Sequence, residues 1–370
     1  MKSRITAGLG IVLVVGLIAV GCSSDDSADS TTTTGAQATT TTAAQETTTT
    51  TVAEETTTTE AMELSTVKVV TLPFITFAPF YIGVEEGYFA EQGIEVELVK
   101  MTVQEEILPA LSSGQVDVSS GLVSAGMFNA IARGAEIRLT ADKGFIDPDS
   151  CVNYSLIGRS DLIEEGGFET ADQLAGTTIN VVPATWLEYY LAEILATGSL
   201  TLDDIEKTNI SAPAVPEGLN SGSLDAAVNA EPWVTIMANS GHVPVLQLPQ
   251  ELLPNESAAV ILFGPTLLNE DSDRGVRFMA AYLKSAAQYA EGKTERNLDI
   301  IEAFTGLDRG LLETMCWSAI NPEGDIAVDG VVAFQEFAVD RGYMDETVSA
   351  EQFYDDSYLS QAKERLEEAG

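Results

Sequence analysis

The stretch "LSSGQVDVSSG" at residues 111–121 returns later in the chain as "LNSGSLDAAVNAEPW" at residues 219–233. Both copies read Leu-x-Ser-Gly-x-x-Asp and then continue in small and apolar residues. A Gly that ends a helix, followed by an Asp that leads into a buried strand, is typical of a helix-to-strand junction. The repeat therefore predicts two related halves, each built around the same junction.

The sequence on either side of each copy alternates between strand and helix patterns. Short apolar runs rich in Val, Ile and Thr predict strands, and Gly residues end most of the helical patterns between them. This rhythm favours an α/β fold with parallel, doubly wound sheets, whose ligands bind at the carboxyl ends of the strands. Strands are predicted at 66–72, 94–101, 116–121, 136–142, 177–182, 224–230 and 243–248, and helices at 78–93, 102–114, 124–134, 184–199 and 232–241.

The first 21 residues have the features of a secretion signal. Lys2 and Arg4 precede an apolar run at residues 5–20, which is shorter than the ~20 residues of a membrane span. Small residues then precede Cys22, as in a bacterial lipobox, although Ala19 stands where Leu is usual. We expect a signal peptide over 1–21 and a lipid on Cys22. An uncleaved membrane anchor is the alternative, and both place the remainder outside the cytoplasm.

Residues 22–65 are rich in Thr, with spaced acids, no Lys or Arg and no aromatic residue. Such a segment buries too little apolar surface to offset chain entropy, so it predicts a disordered tether.

The chain as a whole carries 57 acidic and 18 basic residues, a net charge of −39. Nucleic acid and anionic membrane surfaces are therefore excluded as partners. The acidic residues either form a solvated surface or attract cationic ligands.

Two cysteines remain in the folded part, Cys151 and Cys316. In an extracytoplasmic protein they either pair as a disulfide or stay as buried thiols. No Cys/His cluster suggests a metal, and no cofactor motif is present. The single histidine, His242, is expected in a surface turn.

Three segments together resemble the solute-binding proteins of the nitrate/sulfonate/taurine and thiamine-pyrimidine class of bacterial ABC importers. They are "LPFITFAPFYIGVEEGYFAEQGIEVELV" at 72–99, "LSSGQVDVSSGLVSAGMFNAIARGAEIRL" at 111–139 and "GSLDAAVNAEPWVTIMANSG" at 222–241. The resemblance spans residues 66 to 260. It implies a two-lobed type II periplasmic-binding fold, with lobe I at 66–152 plus 250–370 and lobe II at 153–249. The crossovers would lie near 151–159 and 258–265.

The resemblance also implies a function by lobe closure around a small molecule, followed by docking on a membrane permease. The protein would be a lipid-anchored, extracytoplasmic monomer and not an enzyme. Enzymes of thiamine-pyrimidine synthesis share this fold, but they depend on an active-site His and a Cys-rich motif that this chain lacks. A sensor or adhesin built on the same fold is a further alternative.

Candidate ligand contacts are the side chains and backbone donors that follow the predicted strands. Their aromatic content favours a flat heterocycle such as a thiamine-precursor pyrimidine, with Glu231 accepting from an amino group. A sulfonate, nitrate or taurine-type anion is the alternative, although Arg133 and Arg138 are the only cations that lie close in sequence to the predicted cleft. The candidates are Phe74, Thr76, Phe77, Tyr81, Ser120, Gly121, Ser124, Thr185, Trp186, Glu188, Tyr189, Asn229, Glu231 and Trp233.

Overall fold

The computed structural model describes residues 64–101, 106–246 and 248–369. The predicted signal peptide, nearly all of the predicted tether and Cys22 lie outside these ranges. Residues 60–370 form one compact unit. Within the described ranges, no helix combines the length and apolar character needed to cross a membrane.

The strands form two five-stranded sheets. Sheet A has the order β2-β1-β3-β10-β4, and sheet B has the order β7-β6-β8-β5-β9. The strands are β1 (Ser65–Thr71), β2 (Ile94–Lys100), β3 (Val118–Leu122), β4 (Arg138–Phe145), β5 (Tyr154–Gly158), β6 (Thr178–Asn180), β7 (Glu206–Thr208), β8 (Ala226–Ala230), β9 (Val243–Pro244) and β10 (Ser257–Phe263). We call residues 64–145 with 257–369 the A half, and residues 154–244 the B half.

The two sheets share one topology. In each, three strands run parallel, and the fourth strand in the order is antiparallel to both of its neighbours. The purely parallel sheets expected from the sequence are therefore wrong. The antiparallel strands are β5 and β10, which are the segments predicted as crossovers, and every residue in both is buried.

Helices cover both sheets, and six of them lie within the five predicted helical segments. They are α1 (Ala78–Glu85), α2 (Tyr88–Glu91), α3 (Ile107–Ser112), α4 (Ala125–Ala132), α5 (Ser160–Glu164), α6 (Trp186–Thr197), α7 (Val215–Asn220), α8 (Trp233–Asn239), α9 (Pro249–Leu252), α10 (Ser272–Ala290), α11 (Glu295–Thr305), α12 (Arg309–Thr314), α13 (Val328–Asp340), α14 (Ala350–Phe353) and α15 (Ser357–Ala369). Pro109 lies in the first turn of α3, where its missing N–H removes no helical bond.

The repeated phrase has the same structural role in both sheets. Asp117 accepts a hydrogen bond at Oδ2 from the backbone N–H of Lys68 at 2.8 Å, and Asp225 accepts one from Thr178 at 2.9 Å. Each Asp also donates its own N–H to the carbonyl of that same neighbour. The carboxylate thus fixes one parallel strand against the next, which explains why the phrase occurs twice.

The apolar core is continuous across the two halves. One cluster contains Leu139 of the A half, Trp186 of the B half and Phe334 of α13, all buried. A second cluster packs α1 and α10 on the other side of sheet A. Strand β4 runs in the same direction as β1 and β3, since β10 is antiparallel to both β3 and β4. The loops that follow β1, β3 and β4 therefore lie at the same edge of sheet A.

Candidate functional site

Backbone hydrogen bonds join the two halves where β3 and β6 end. Ser124 and Thr185 form an isolated antiparallel bridge. Ala125 donates its N–H to the carbonyl of Ala184, and Trp186 donates to Val123, each at 2.9 Å. Two of the predicted ligand contacts, Ser124 and Thr185, are therefore used to hold the halves together.

A buried lysine lies at the carboxyl end of β4. The amine of Lys143 donates a hydrogen bond to Thr76 Oγ1 at 2.8 Å and lies 3.6 Å from the centre of the Phe77 ring. The residue is 2% exposed, and the described residues place no carboxylate within ion-pair distance of its amine. Lys143 is thus a cation in addition to Arg133 and Arg138, the two named from the sequence.

Burial dominates the electrostatics of this lysine. Desolvation lowers the pKa of Lys143, and the neighbouring Asp142 carboxylate opposes this shift. Desolvation likewise raises the pKa of Asp142, whose Oδ2 accepts from the N–H of Asn321 at 3.0 Å. An anion placed beside Lys143 would favour the charged ammonium, because an opposite charge offsets the cost of desolvation.

Two further candidates are the consecutive β3 residues Ser120 and Gly121. The Ser120 hydroxyl is buried and has no hydrogen-bond partner. A Cβ added to Gly121 would meet no other atom within 4 Å. An unpaired buried hydroxyl such as that of Ser120 is suited to binding a polar group, because such a group would restore the missing hydrogen bond. A ligand-binding role for Ser120 and Gly121 stays a prediction.

The carboxylate of Glu231 is already satisfied by the protein. Its two oxygens accept from the N–H and the hydroxyl of Thr235, at 3.0 and 2.7 Å, and from the N–H of Cys316 at 3.2 Å. The residue is 2% exposed, and burial raises its pKa while the hydrogen bonds from Thr235 and Cys316 lower it. Its carbonyl lies 3.5 Å from the N–H of Ile75, so the end of β8 is next to the loop after β1.

Most of the predicted aromatic contacts pack in the interior. Tyr81 stacks on Phe304 with ring centres 5.2 Å apart, and Trp186 stacks on Tyr190 at 5.8 Å. Tyr189 packs against Phe337 of α13. These rings stabilise the fold and the contact between halves. Phe74 and Trp233 are half-buried, and the indole N–H of Trp233 is buried without a partner.

Glu188 and Asn229 are also held by the protein. The Glu188 side chain is fully buried and paired with Lys207 at 2.6 Å. The Asn229 side-chain oxygen accepts from the N–H of Ala230 at 2.9 Å. Among the candidates, Thr76 and Phe77 contact the amine of Lys143, whereas the Ser120 hydroxyl and the indole N–H of Trp233 have no hydrogen-bond partner.

A disulfide lies beside this site. Cys151 and Cys316 are bonded, with their Cα atoms 5.7 Å apart. Next to it, Asn153 donates to the Ser318 hydroxyl at 2.6 Å and accepts from the N–H of Glu231 at its carbonyl. The first crossover is thus tied both to the segment around Cys316 and to the end of β8.

His242 takes no part in this arrangement. Its Nδ1 accepts from the N–H of Ser160 at 3.3 Å, and its Nε2 lies 3.1 Å from Asn220 Oδ1. The residue is 3% exposed, so the expectation of a surface turn residue is wrong. It borders a cavity of 500 Å³ that contains Arg159 and Asp161. The described residues bring no His, Cys, Asp or Glu group together in a way that could hold a metal ion.

Comparison with protein families supplies the classification. The model of the family described as NMT1/THI5 like matches residues 75–295, which is more than half of the chain. The chain belongs to the NMT1/THI5-like family. A comparison with curated protein sequences found no match.

Solved structures of the same architecture include binding proteins of this class. The nitrate-binding protein NrtA of Synechocystis PCC 6803 superposes with a TM-score of 0.66 at 13% identity, covering 82% of this chain and 90% of that one. The aliphatic sulphonate binding protein SsuA of Escherichia coli gives 0.64 at 14% identity, covering 78% and 91%. At these identities the likeness establishes the fold, which is the two-lobed type II periplasmic-binding fold.

An enzyme shares the fold as well. The desulfurization enzyme DSZB superposes with a TM-score of 0.59 at 16% identity, covering 82% of this chain and 99% of that one. Membership of the NMT1/THI5-like family therefore fixes the architecture but not the chemistry.

Proposed function

We propose that this NMT1/THI5-like protein is the extracytoplasmic solute-binding component of an ABC importer. Residues 66–152 and 250–370 would form lobe I, and residues 153–249 lobe II. A ligand that contacts both lobes stabilises the closed form, which is then recognised by a membrane permease. A lipid on Cys22 would keep the monomer at the membrane, and residues 22–65 would serve as its tether.

The observation that carries the proposal is the buried amine of Lys143 where the loops after β1, β3 and β4 meet. Its partners are a hydroxyl and an aromatic ring, so its charge has no neutralising ion pair among the described residues. A buried cation is costly unless it is paired. A bound anion would supply that pair, and Ser120 has a free hydroxyl to contribute a further hydrogen bond.

We therefore infer a small solute with an anionic group, of the sulfonate, nitrate or taurine type. The thiamine-precursor pyrimidine is the second candidate, because Phe74 and Trp233 are half-buried and could contact a flat ring. It is less favoured, since the proposed acceptor Glu231 already has three donors within the protein.

A binding role is also favoured over catalysis. Among the described residues the only histidine is held by Ser160 and Asn220, and both cysteines outside the leader are joined in a disulfide. These side chains therefore have structural roles and are not free to act as acid, base or nucleophile.

The test is a thermal-shift screen of the full chain against nitrate, ethanesulfonate, taurine and an aminopyrimidine. We expect an anion to raise the melting temperature, and Lys143→Met to lower its affinity at least tenfold, because a hydrogen-bonded charge pair contributes about 1.5–3 kcal/mol. Lys100→Met, which removes an exposed lysine from the end of β2, is the matched control.

Two outcomes would contradict different parts of the proposal. If no compound of the panel stabilised the protein, the importer function would lose its support. If an anion bound equally well to wild type and to folded Lys143→Met, the importer function would survive and the role of Lys143 would not. Stabilisation by the aminopyrimidine alone would favour the second candidate.

A further inference from the structure

The two lobes are also connected at a rim built from charged and phenolic side chains. Glu188 of α6 and Lys207 of β7 belong to lobe II, and Tyr343 follows α13 in lobe I. Lys207 Nζ lies 2.6 Å from Glu188 Oε1, and the Tyr343 hydroxyl donates to that same oxygen at 3.1 Å. Lys207 also donates to the Tyr343 oxygen at 3.2 Å.

Each member of this triangle is fixed to its own lobe. Asn129 of α4 donates to the Tyr343 carbonyl at 2.8 Å, which holds the tyrosine on lobe I. The second carboxylate oxygen of Glu188 accepts from the N–H of Ala184 at 2.7 Å. Tyr343 is therefore the member whose hydroxyl must leave the carboxylate when the lobes separate.

The triangle is continuous with the backbone bridge between the lobes. Ala184, which is held by Glu188, accepts at its own carbonyl from the N–H of Ala125 in lobe I. Because the Glu188 side chain is fully buried, losing a hydrogen bond to its charge is costly. One carboxylate thus stabilises both the rim and the bridge.

A second ion pair crosses the same rim. Arg341 Nη2 of lobe I lies 2.8 Å from Asp203 Oδ1 of lobe II. Nearby, the rings of Tyr189 and Phe337 pack with centres 5.2 Å apart. Opening the lobes would separate this ion pair and expose this apolar contact.

We propose that Glu188, Lys207, Tyr343, Arg341 and Asp203 form a latch that holds the lobes closed without any ligand. The latch uses no atom of Lys143, Thr76 or Ser120, so it acts independently of the anion site and of the ligand's identity. It sets the closed fraction of the free protein, and through it the apparent affinity for any ligand that requires closure. The inference goes beyond the proposed import function, because it concerns the free chain.

Amide hydrogen exchange of the ligand-free full chain tests the latch. The N–H groups of Ala125 and Trp186 bond across the lobes and report directly on opening. We expect Tyr343→Phe to accelerate their exchange roughly tenfold, the effect of losing one hydrogen bond to a charged group. Asp203→Asn should also accelerate it, by a smaller factor because that pair is partly exposed. The amides of β1 should not change.

A charge removal elsewhere in lobe I provides the control. Asp299 pairs with Arg309 at 2.6 Å, and both lie within lobe I, so Asp299→Asn should leave the Ala125 and Trp186 amides unaffected. The latch would be refuted if folded Tyr343→Phe exchanged these amides at the wild-type rate. It would also be refuted if β1 and the bridge accelerated equally, since that pattern indicates global destabilisation.

Discussion

Glu256, the residue directly before β10, has a carboxyl group whose ionisation is disfavoured by burial. Its Oε2 accepts from the indole N–H of Trp186 at 2.8 Å, and it borders a cavity of 510 Å³ that contains Asp329. The pKa of Glu256 is raised to about 7, mainly because its carboxyl group is buried. The charge of nearby Glu193 also raises this pKa, and the hydrogen bond from Trp186 lowers it. The ionised form therefore destabilises the folded state near neutral pH.

This shift gives a pH-dependent prediction. The folded state keeps the Glu256 proton until about pH 7, whereas the unfolded chain releases it near its ordinary value of about 4.3. Stability is therefore lost as pH rises across that window. Glu256→Gln cannot ionise and still accepts from Trp186, so it should melt ~1–3 °C higher than wild type at pH 8 and almost equally at pH 5.

Differential scanning calorimetry at the two pH values measures this difference. Glu346→Gln, at an exposed position with no such burial, is the control and should match wild type at both. A gain for Glu256→Gln that was equal at pH 5 and pH 8 would mean that ionisation of Glu256 is not its cause.

At the residue scale the sequence located the ends of the strands better than the partners of the side chains. Ser120 and Gly121 lie within β3, near its carboxyl end, and the position of that strand end could be located from the hydrophobic pattern. Lys143 was missed because the strand 136–142 was ended one residue too early, and the structure extends it to Phe145. A single Lys in the otherwise buried "LTADKGF" was the available signal. The partners of Glu231 and Glu188 come from distant segments, which no local pattern reveals.

At the scale of elements, the helix-to-strand junction can be tested in both sheets. Asp117→Ala and Asp225→Ala each leave a partly buried strand N–H without its charged acceptor, so each should cost about 1–3 kcal/mol of unfolding free energy. The loss should be larger for Asp225, because it also pairs with Arg159 at 3.1 Å.

Urea denaturation followed by circular dichroism measures these losses. Ser113→Ala, in the same phrase but bonded only to its own helix at Ala110, should stay within ±0.5 kcal/mol of wild type. If Asp117→Ala cost no more than Ser113→Ala, the strand-fixing role of the aspartate would be refuted.

The element sequence itself was largely predictable, and strand direction was not. The Gly residues that end helices and the apolar runs that form strands located β1, β2, β3, α4 and α6 to within a few residues. The segments at 151–159 and 258–265 were correctly predicted to be apolar and extended. Their antiparallel pairing depends on where the chain returns from the other sheet, and composition does not encode that.

At the scale of the whole molecule, the disulfide closes a loop of 165 residues that contains the entire B half. In the chain-entropy model such a loop contributes about 4–5 kcal/mol by restricting the unfolded state. The double variant Cys151→Ser, Cys316→Ser should therefore melt roughly 10 °C lower than wild type.

Melting with and without reductant checks this effect. Reductant should lower the melting temperature of wild type towards that of the double variant and leave the variant unchanged. A wild-type protein insensitive to reductant at its melting temperature, with the bond shown to be reduced by mass spectrometry, would contradict the stabilising role.

The strand order has a consequence for how the chain acquires its structure. Sheet B takes all its strands from one continuous segment, Tyr154 to Pro244, whereas sheet A needs β10, which follows that segment, to join β3 to β4. A chain that emerges from its amino terminus can therefore complete the second sheet while the first still lacks an inner strand. The half that begins first is finished last, and until Ser257–Phe263 arrives, the facing edges of β3 and β4 are open to a chaperone or to mispairing.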